Sequence, residues 1–281
     1  MINSIPLLSI LVLLPLVGAL TLAFLRGAAA RVIGLAFALV TTVVGVAAFV
    51  LGQGMELVER LPWISVIGAS YSLELDSMAS IMVLLTVLLT PAVLLAEWHV
   101  GEAEGARWPT RVFFALALAL EGLSLMVFLA GDLLLFYIMF EATLIPMFFM
   151  IAGFGGPSRA AAAVKFLLFS LAGGLVMLVG VAGVYAVSAS QGSPSFLLSD
   201  LARLDMSGGI GRWLFLAFFF AFAVKAPMAG LHTWLPDTAE QATPGTSVLL
   251  IGILDKIGTF GMITLVLPIF PEASRWAAPV I

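Results

Sequence analysis

The sequence predicts an all-α polytopic membrane protein with about eight transmembrane helices, and three observations carry that expectation. Of 281 residues, 62% are hydrophobic and only 10% are charged, far from the balance of a soluble domain. Mean hydropathy is +1.19. The runs Ile5 to Phe24, Val32 to Leu51 and Ser77 to Ala96 carry no charge, and each matches the ~20 residues that a bilayer core requires.

These three runs are the first three expected spans. The first has no preceding Lys or Arg and no small-residue cleavage pattern, so it reads as an uncleaved helix rather than a signal peptide. Val112 to Gly131 follows, apolar except for Glu121, and then Leu133 to Phe154, apolar except for Glu141. Phe166 to Val187, Trp213 to Leu231 and Thr246 to Val266 complete the set, the last two interrupted. Gly131 and Asp132 leave almost no loop between spans four and five, which predicts a tight antiparallel hairpin. Glu121 lies ten residues before Gly131 and Glu141 ten after it. At 1.5 Å per residue, both carboxylates should stand about 15 Å from the turn, near the midplane of a ~30 Å core.

The connections after spans one, three and five carry Arg26, Arg31, Arg107, Arg111, Arg159 and Lys165, against Arg60, Arg203, Arg212 and Arg275 on the other side. That bias places the N-terminus on the non-cytoplasmic side. Between Gly52 and Asp76, alternating stretches such as SYSLEL fit either a short outer hairpin or an irregular loop.

Composition excludes several functions. With no cysteine, the chain supplies no thiolate for an iron-sulfur cluster and no disulfide. His99 belongs to the polar stretch EWHVGEAEGARWPTR, which argues against a haem held between two intramembrane histidines. GFGG at Gly153 to Gly156 runs into Pro157 and reads as a loop, not a nucleotide fingerprint. Twelve Lys plus Arg against sixteen Asp plus Glu, with no basic cluster, argue against a nucleic-acid partner.

Chemistry therefore rests on Glu121, Glu141, Lys225 and Lys256, each deep in an apolar run. A charge at the centre of a membrane helix costs ~3 kcal/mol on insertion scales, and such residues mark ion or proton pathways. The strongest local signal is AVKAPMAGLHTWLPD, Ala223 to Asp237. Pro227 has no amide hydrogen and its ring clashes with the Ala223 carbonyl, so the seventh helix should break beside Lys225. Gly230, Pro236 and ATPGTS at Ala242 to Ser247 extend the irregularity. Freed backbone at membrane depth survives where it is buried in protein or faces a water-filled cavity. Burial disfavours an ammonium and a neighbouring carboxylate favours it, so a carboxylate that moves would switch a lysine between binding and releasing a proton.

Plainer uses stay open. Glu121 and Glu141 also fit a structural ion pair that fixes helix packing. His232 fits a proton relay or a polar residue satisfied at the break. Lys165, a few residues inside its helix, fits snorkelling to the surface. Asp255 adjoins Lys256, but neighbours on a helix point ~100° apart, so the two are not expected to pair directly.

At these residues the sequence resembles the antiporter-like membrane subunits of proton-pumping NADH-quinone oxidoreductase, respiratory complex I. EGLSLMVFLAGDLLLFYIMFEATLIPMFFMI, Glu121 to Ile151, resembles the family's fourth and fifth helices with the glutamate of each. LIPMF after Glu141 points to the subunit M branch, the mitochondrial subunit 4 type, over L and N. AAAVKFLLFSLAGG, Ala161 to Gly174, resembles the sixth helix, AVKAPMAGLHTWLPD the discontinuous seventh, and SVLLIGILDKIGTFG, Ser247 to Gly261, the eighth.

The resemblance implies that Glu141 and Lys225 form an interacting pair, that Lys256 continues a polar axis, and that Glu121 and His232 support them. It implies no cofactor in this chain, with NADH, flavin, iron-sulfur clusters and quinone in partner subunits. The partners implied are other membrane-arm subunits, in a bacterial cytoplasmic or inner mitochondrial membrane. Two features depart from the common pattern: Asp255 stands where many relatives carry an apolar residue, and ATPGTS orders its proline and threonine differently from APTAGS. The family is roughly twice this length, with two inverted five-helix repeats. The expected division is therefore three leading helices and the outer loop over 1–110, the first repeat over 111–267 and a tail over 268–281, with the second repeat absent. A subunit of a multisubunit cation/proton antiporter or membrane-bound hydrogenase, or a non-conducting assembly fragment, are the competing readings.

Overall fold

The computed structural model describes residues 6–25, 27, 29–103, 105–192 and 194–279. Ile5, Arg26, Val280 and Ile281, which enter the readings above, lie outside them. Among the described residues, eight helices are long and apolar enough to cross a membrane. These are α1 (Leu7–Phe24), α2 (Ala29–Gly52), α3 (Ser77–Ala96), α4 (Thr110–Leu129), α5 (Leu133–Phe154), α6 (Arg159–Ser190), α7 (Gly208–Lys225) and, after the short α8 (Trp234–Gln241), α9 (Pro244–Ile269). A last short helix, α10 (Pro271–Ala277), follows. The all-α polytopic class holds, and α4 is its hub, with 72% of its spanning window buried.

Bounds shift by a few residues in most spans, and the last three show why. The seventh helix ends at Lys225 instead of reaching Leu231, because Pro227 and Gly230, at φ +88°, carry the chain out of the helix. The sixth begins at Arg159, well before Phe166, and its 32 residues exceed the core thickness. Its first turns therefore reach the rim, where Lys165 Nζ donates to Asp237 Oδ2 at 2.6 Å. The eighth starts at Pro244, in the first helical turn where a missing amide costs nothing.

Connections after α2, α4 and α6 gather on one side. The segment left open between hairpin and loop is a hairpin: β1 (Leu57–Ile64) pairs antiparallel with β2 (Ala69–Leu75). It clasps the α4–α5 turn, where the Gly131 amide donates to the Ser72 carbonyl and the Leu133 amide to the Phe196 carbonyl. Asp132 Oδ1 accepts from the Leu134 and Leu135 amides at 2.9 and 3.1 Å, and Oδ2 from the Ser70 amide at 2.8 Å. Burial pushes this carboxyl above its usual range, while those three amides and Arg60 pull it down. Connections after α1, α3, α5 and α7 gather on the other side, where Arg31 bonds Glu102 and the Gly156 amide donates to the Gln241 carbonyl.

Carboxylates cap other helix starts in the same way. Glu59 accepts from the Leu8 amide at 2.7 Å and the Ser9 amide at 2.9 Å, closing α1. Asp76 accepts from Ala79 at the start of α3, and Glu97 from Gly245 at the start of α9, both at 2.6 Å. Helix N-termini expose unpaired amides and a partial positive charge, so a carboxylate there is favourable.

Candidate functional site

α5 is loosened directly after Glu141. Pro146 supplies no amide to the Ala142 carbonyl, and the helix is interrupted at Thr143, whose hydroxyl donates to the Phe140 carbonyl at 2.7 Å. Glu141 leans against α6 at Gly174: a Cβ at that glycine would overlap the carboxylate, so only glycine leaves it room.

Lys225 is the last residue of α7 and 2% exposed. Its Nζ lies 5.0 Å from the Phe140 ring centroid and 5.9 Å from that of Phe166. The break behind it is tied down: the Trp234 indole donates to the Val224 carbonyl at 3.2 Å and the Met228 amide to the Ala223 carbonyl at 2.9 Å. Glu141 and Asp255 are both within electrostatic reach of the ammonium. Each aromatic face contributes ~0.5–2 kcal/mol to a cation, whereas desolvating an ion costs several kcal/mol. The rings alone do not offset that cost, and neither carboxylate makes a hydrogen bond to Nζ.

Glu121 is fully buried on α4, and neither of its oxygens has a hydrogen-bond partner. Thr90 on α3 lies close, but its hydroxyl donates to the Thr86 carbonyl at 3.0 Å. Ser124 Oγ, Glu141 Oε1, Ser170 Oγ, Lys225 Nζ and Asp255 Oδ1 are likewise buried without a partner. A buried unpaired polar group costs ~1–3 kcal/mol, and few occur in a folded domain. Glu141, Ser170 and Asp255 lie on α5, α6 and α9, the helices that bring Phe140, Phe166 and Asp255 toward Lys225, whereas Glu121 and Ser124 lie on α4 and a further unpartnered hydroxyl, Ser274, on α10.

Two of the residues singled out from the sequence lie elsewhere. Lys256 is on the exposed flank of α9, and the neighbour that faces inward is Asp255, 7% exposed. His232 is exposed in the α7–α8 connection, where its Nδ1 accepts from the Gly230 amide at 3.2 Å. Reading the sequence did not single out the Phe140 and Phe166 faces or Gly174. Phe140 stands next to Glu141 in the chain, and Phe166, Ser170 and Gly174 recur at helical spacing on α6. Among the described residues, no cluster of three or more His, Cys, Asp or Glu could hold a metal ion.

Residues 130–281 match the family described as "NADH:quinone oxidoreductase/Mrp antiporter, TM". The chain is 39% identical to NADH-quinone oxidoreductase subunit M of Mycobacterium tuberculosis, over 99% of this chain and 57% of that protein. It superimposes on a chain of respiratory complex I from Thermus thermophilus with a TM-score of 0.85, at 33% identity, over 97% of this chain and 55% of that one. A chain of the Mrp complex from a Dietzia species shares the fold, with a TM-score of 0.81 at 23% identity, over 99% of this chain and 52% of that one. The chain thus spans about half the length of the curated relatives it matches.

Proposed function

This chain belongs to the NADH:quinone oxidoreductase/Mrp antiporter membrane family, and from that premise we propose that it is an M-type membrane-arm subunit that moves protons while other subunits pass electrons from NADH to quinone. The observation that carries the reading is that buried Lys225 has no hydrogen-bond partner while two acids with unpartnered oxygens, Glu141 and Asp255, lie within its electrostatic reach. A structural ion pair would have its hydrogen bonds made; these groups do not.

In this reading Lys225 is the proton carrier on the uptake side. Ionised Glu141 holds the ammonium, and when Glu141 is protonated or moves, that hold is lost and the proton leaves. The breaks at Thr143 and Ala226 give both side chains a local hinge. Glu121 supports the pair from α4, His232 serves the mouth of the broken helix, and Lys256 would carry the proton to the flank of the chain. Residues 111–267 form the five-helix unit that holds this path, the N-terminus lies on the non-cytoplasmic side, and flavin and iron-sulfur clusters sit in partner subunits.

The experiment is Lys225→Met in the complete complex in membrane vesicles. The expected result is NADH oxidation with proton pumping per electron sharply reduced. Unchanged pumping per electron would refute the role.

A further inference from the structure

Asp255 is an acid that neither the capping pattern nor the Glu141–Lys225 pair uses. It is buried on α9, its Oδ1 has no hydrogen-bond partner, and it is within electrostatic reach of both Lys225 and Lys256. Its face of α9 packs directly on the break. Gly258, three residues on and so on the same face, lies so close that an added Cβ would come within 2.6 Å of the Ala226 amide nitrogen and 3.0 Å of the Phe222 carbonyl. Asp255 therefore approaches Lys225 from α9, while Glu141 approaches from α5.

One ammonium between two carboxylates can neutralise only one of them. With all three ionised, the group carries a net negative charge in an apolar surround, which is unfavourable unless a further proton is held. The ammonium thus has two alternative partners on two different helices. Only one of the two, Asp255, adjoins in the chain a lysine that faces outward, Lys256.

We propose that Asp255 is the onward proton acceptor of Lys225, in competition with Glu141, and links the buried cage to the exposed flank of α9. The proposal rests on the reading of the chain as a proton-translocating subunit. When Glu141 takes up a proton, the Lys225 ammonium pairs with Asp255 alone. An N–H bond of Lys225 then breaks as an O–H bond forms on the Asp255 carboxylate, leaving a neutral amine and a neutral acid. The acid next gives its proton to a water molecule at the flank of α9 where Lys256 is exposed: its O–H bond breaks, an O–H bond forms on the water, and Asp255 returns to a carboxylate.

The test sets two substitutions of opposite character in the complete complex against each other, reading protons pumped per NADH oxidised in membrane vesicles. Asp255→Asn keeps size and polarity and removes the titrating group; Asp255→Glu keeps the titrating group and changes the size. The proposal expects a several-fold loss in Asp255→Asn with assembly and NADH oxidation retained, and near-normal pumping in Asp255→Glu. A packing role gives the reverse, Asn tolerated and Glu harmful, and that result overturns the proposal. If Asp255→Asn does not assemble, the infrared difference spectrum between resting and turning-over complex decides: the protonated-carboxyl band shifts in Asp255→Glu, and an unshifted band overturns the proposal. Lys225→Met, run in parallel, separates the two claims. Loss of pumping in Lys225→Met with normal pumping in Asp255→Asn contradicts only the role of Asp255, whereas normal pumping in Lys225→Met contradicts the underlying reading as well.

Discussion

The acids at the two rims of the bundle and the acids in its middle are the same residue types in opposite circumstances. At the rims, Asp132, Glu59, Asp76 and Glu97 accept backbone amides at helix starts, at distances between 2.6 and 3.1 Å. In the middle, Glu121, Glu141 and Asp255 each have a buried oxygen with no donor. A rim carboxylate is held in place by the amides it accepts. A central carboxylate has a buried oxygen without such a tie. The contrast separates acids that hold the helices in place from the acids to which the proposal assigns proton exchange.

The largest disturbance to the fold is expected from Asp132→Ala. A helix cap is worth ~1 kcal/mol and a hydrogen bond to a charged group ~1.5–3 kcal/mol, and three amides lose their acceptor together. The thermal midpoint of the purified complex should fall, while complexes that do assemble keep their protons per electron. Gly174→Ala reverses that pattern. The new methyl forces the Glu141 carboxylate off α6, so pumping should drop while the midpoint moves little. Lys165→Ala should do least. Its pair with Asp237 is half-exposed, and such pairs contribute ~0–1 kcal/mol. A large stability loss there would show that the rim is more than a set of caps.

Much of this contrast is legible in the sequence, and the remainder has definite physical causes. Charge-free runs gave the first three spans, Gly131-Asp132 the tight α4–α5 turn, and Pro227 the break after Lys225. The break begins earlier than hydropathy suggested, because Met228 to Leu231 is apolar enough to pass for helix. The outer hairpin balanced against a loop, since its alternation covers few residues, and its contacts with Gly131 and Asp132 are tertiary.

Of Asp255 and Lys256, only Asp255 faces inward. Neighbours ~100° apart cannot both point inward. Which one does depends on helix phase, and here α9 is wound as π-helix over Leu250–Leu254 and Met262–Val266, on both sides of the pair. A π turn bonds i to i+5 and moves every later side chain around the axis. Counting at 3.6 residues per turn does not recover that phase.

The most direct measurement compares one acid from each region under an identical change. Glu141→Gln and Asp132→Asn both remove a charge and keep an amide of nearly the same shape, and the readout is protons pumped per NADH oxidised by the complete complex. The expected result is a strong loss for Glu141→Gln and a ratio near wild type for Asp132→Asn. Equal ratios in the two, or a loss confined to Asp132→Asn, would contradict the division between capping and proton-exchanging acids.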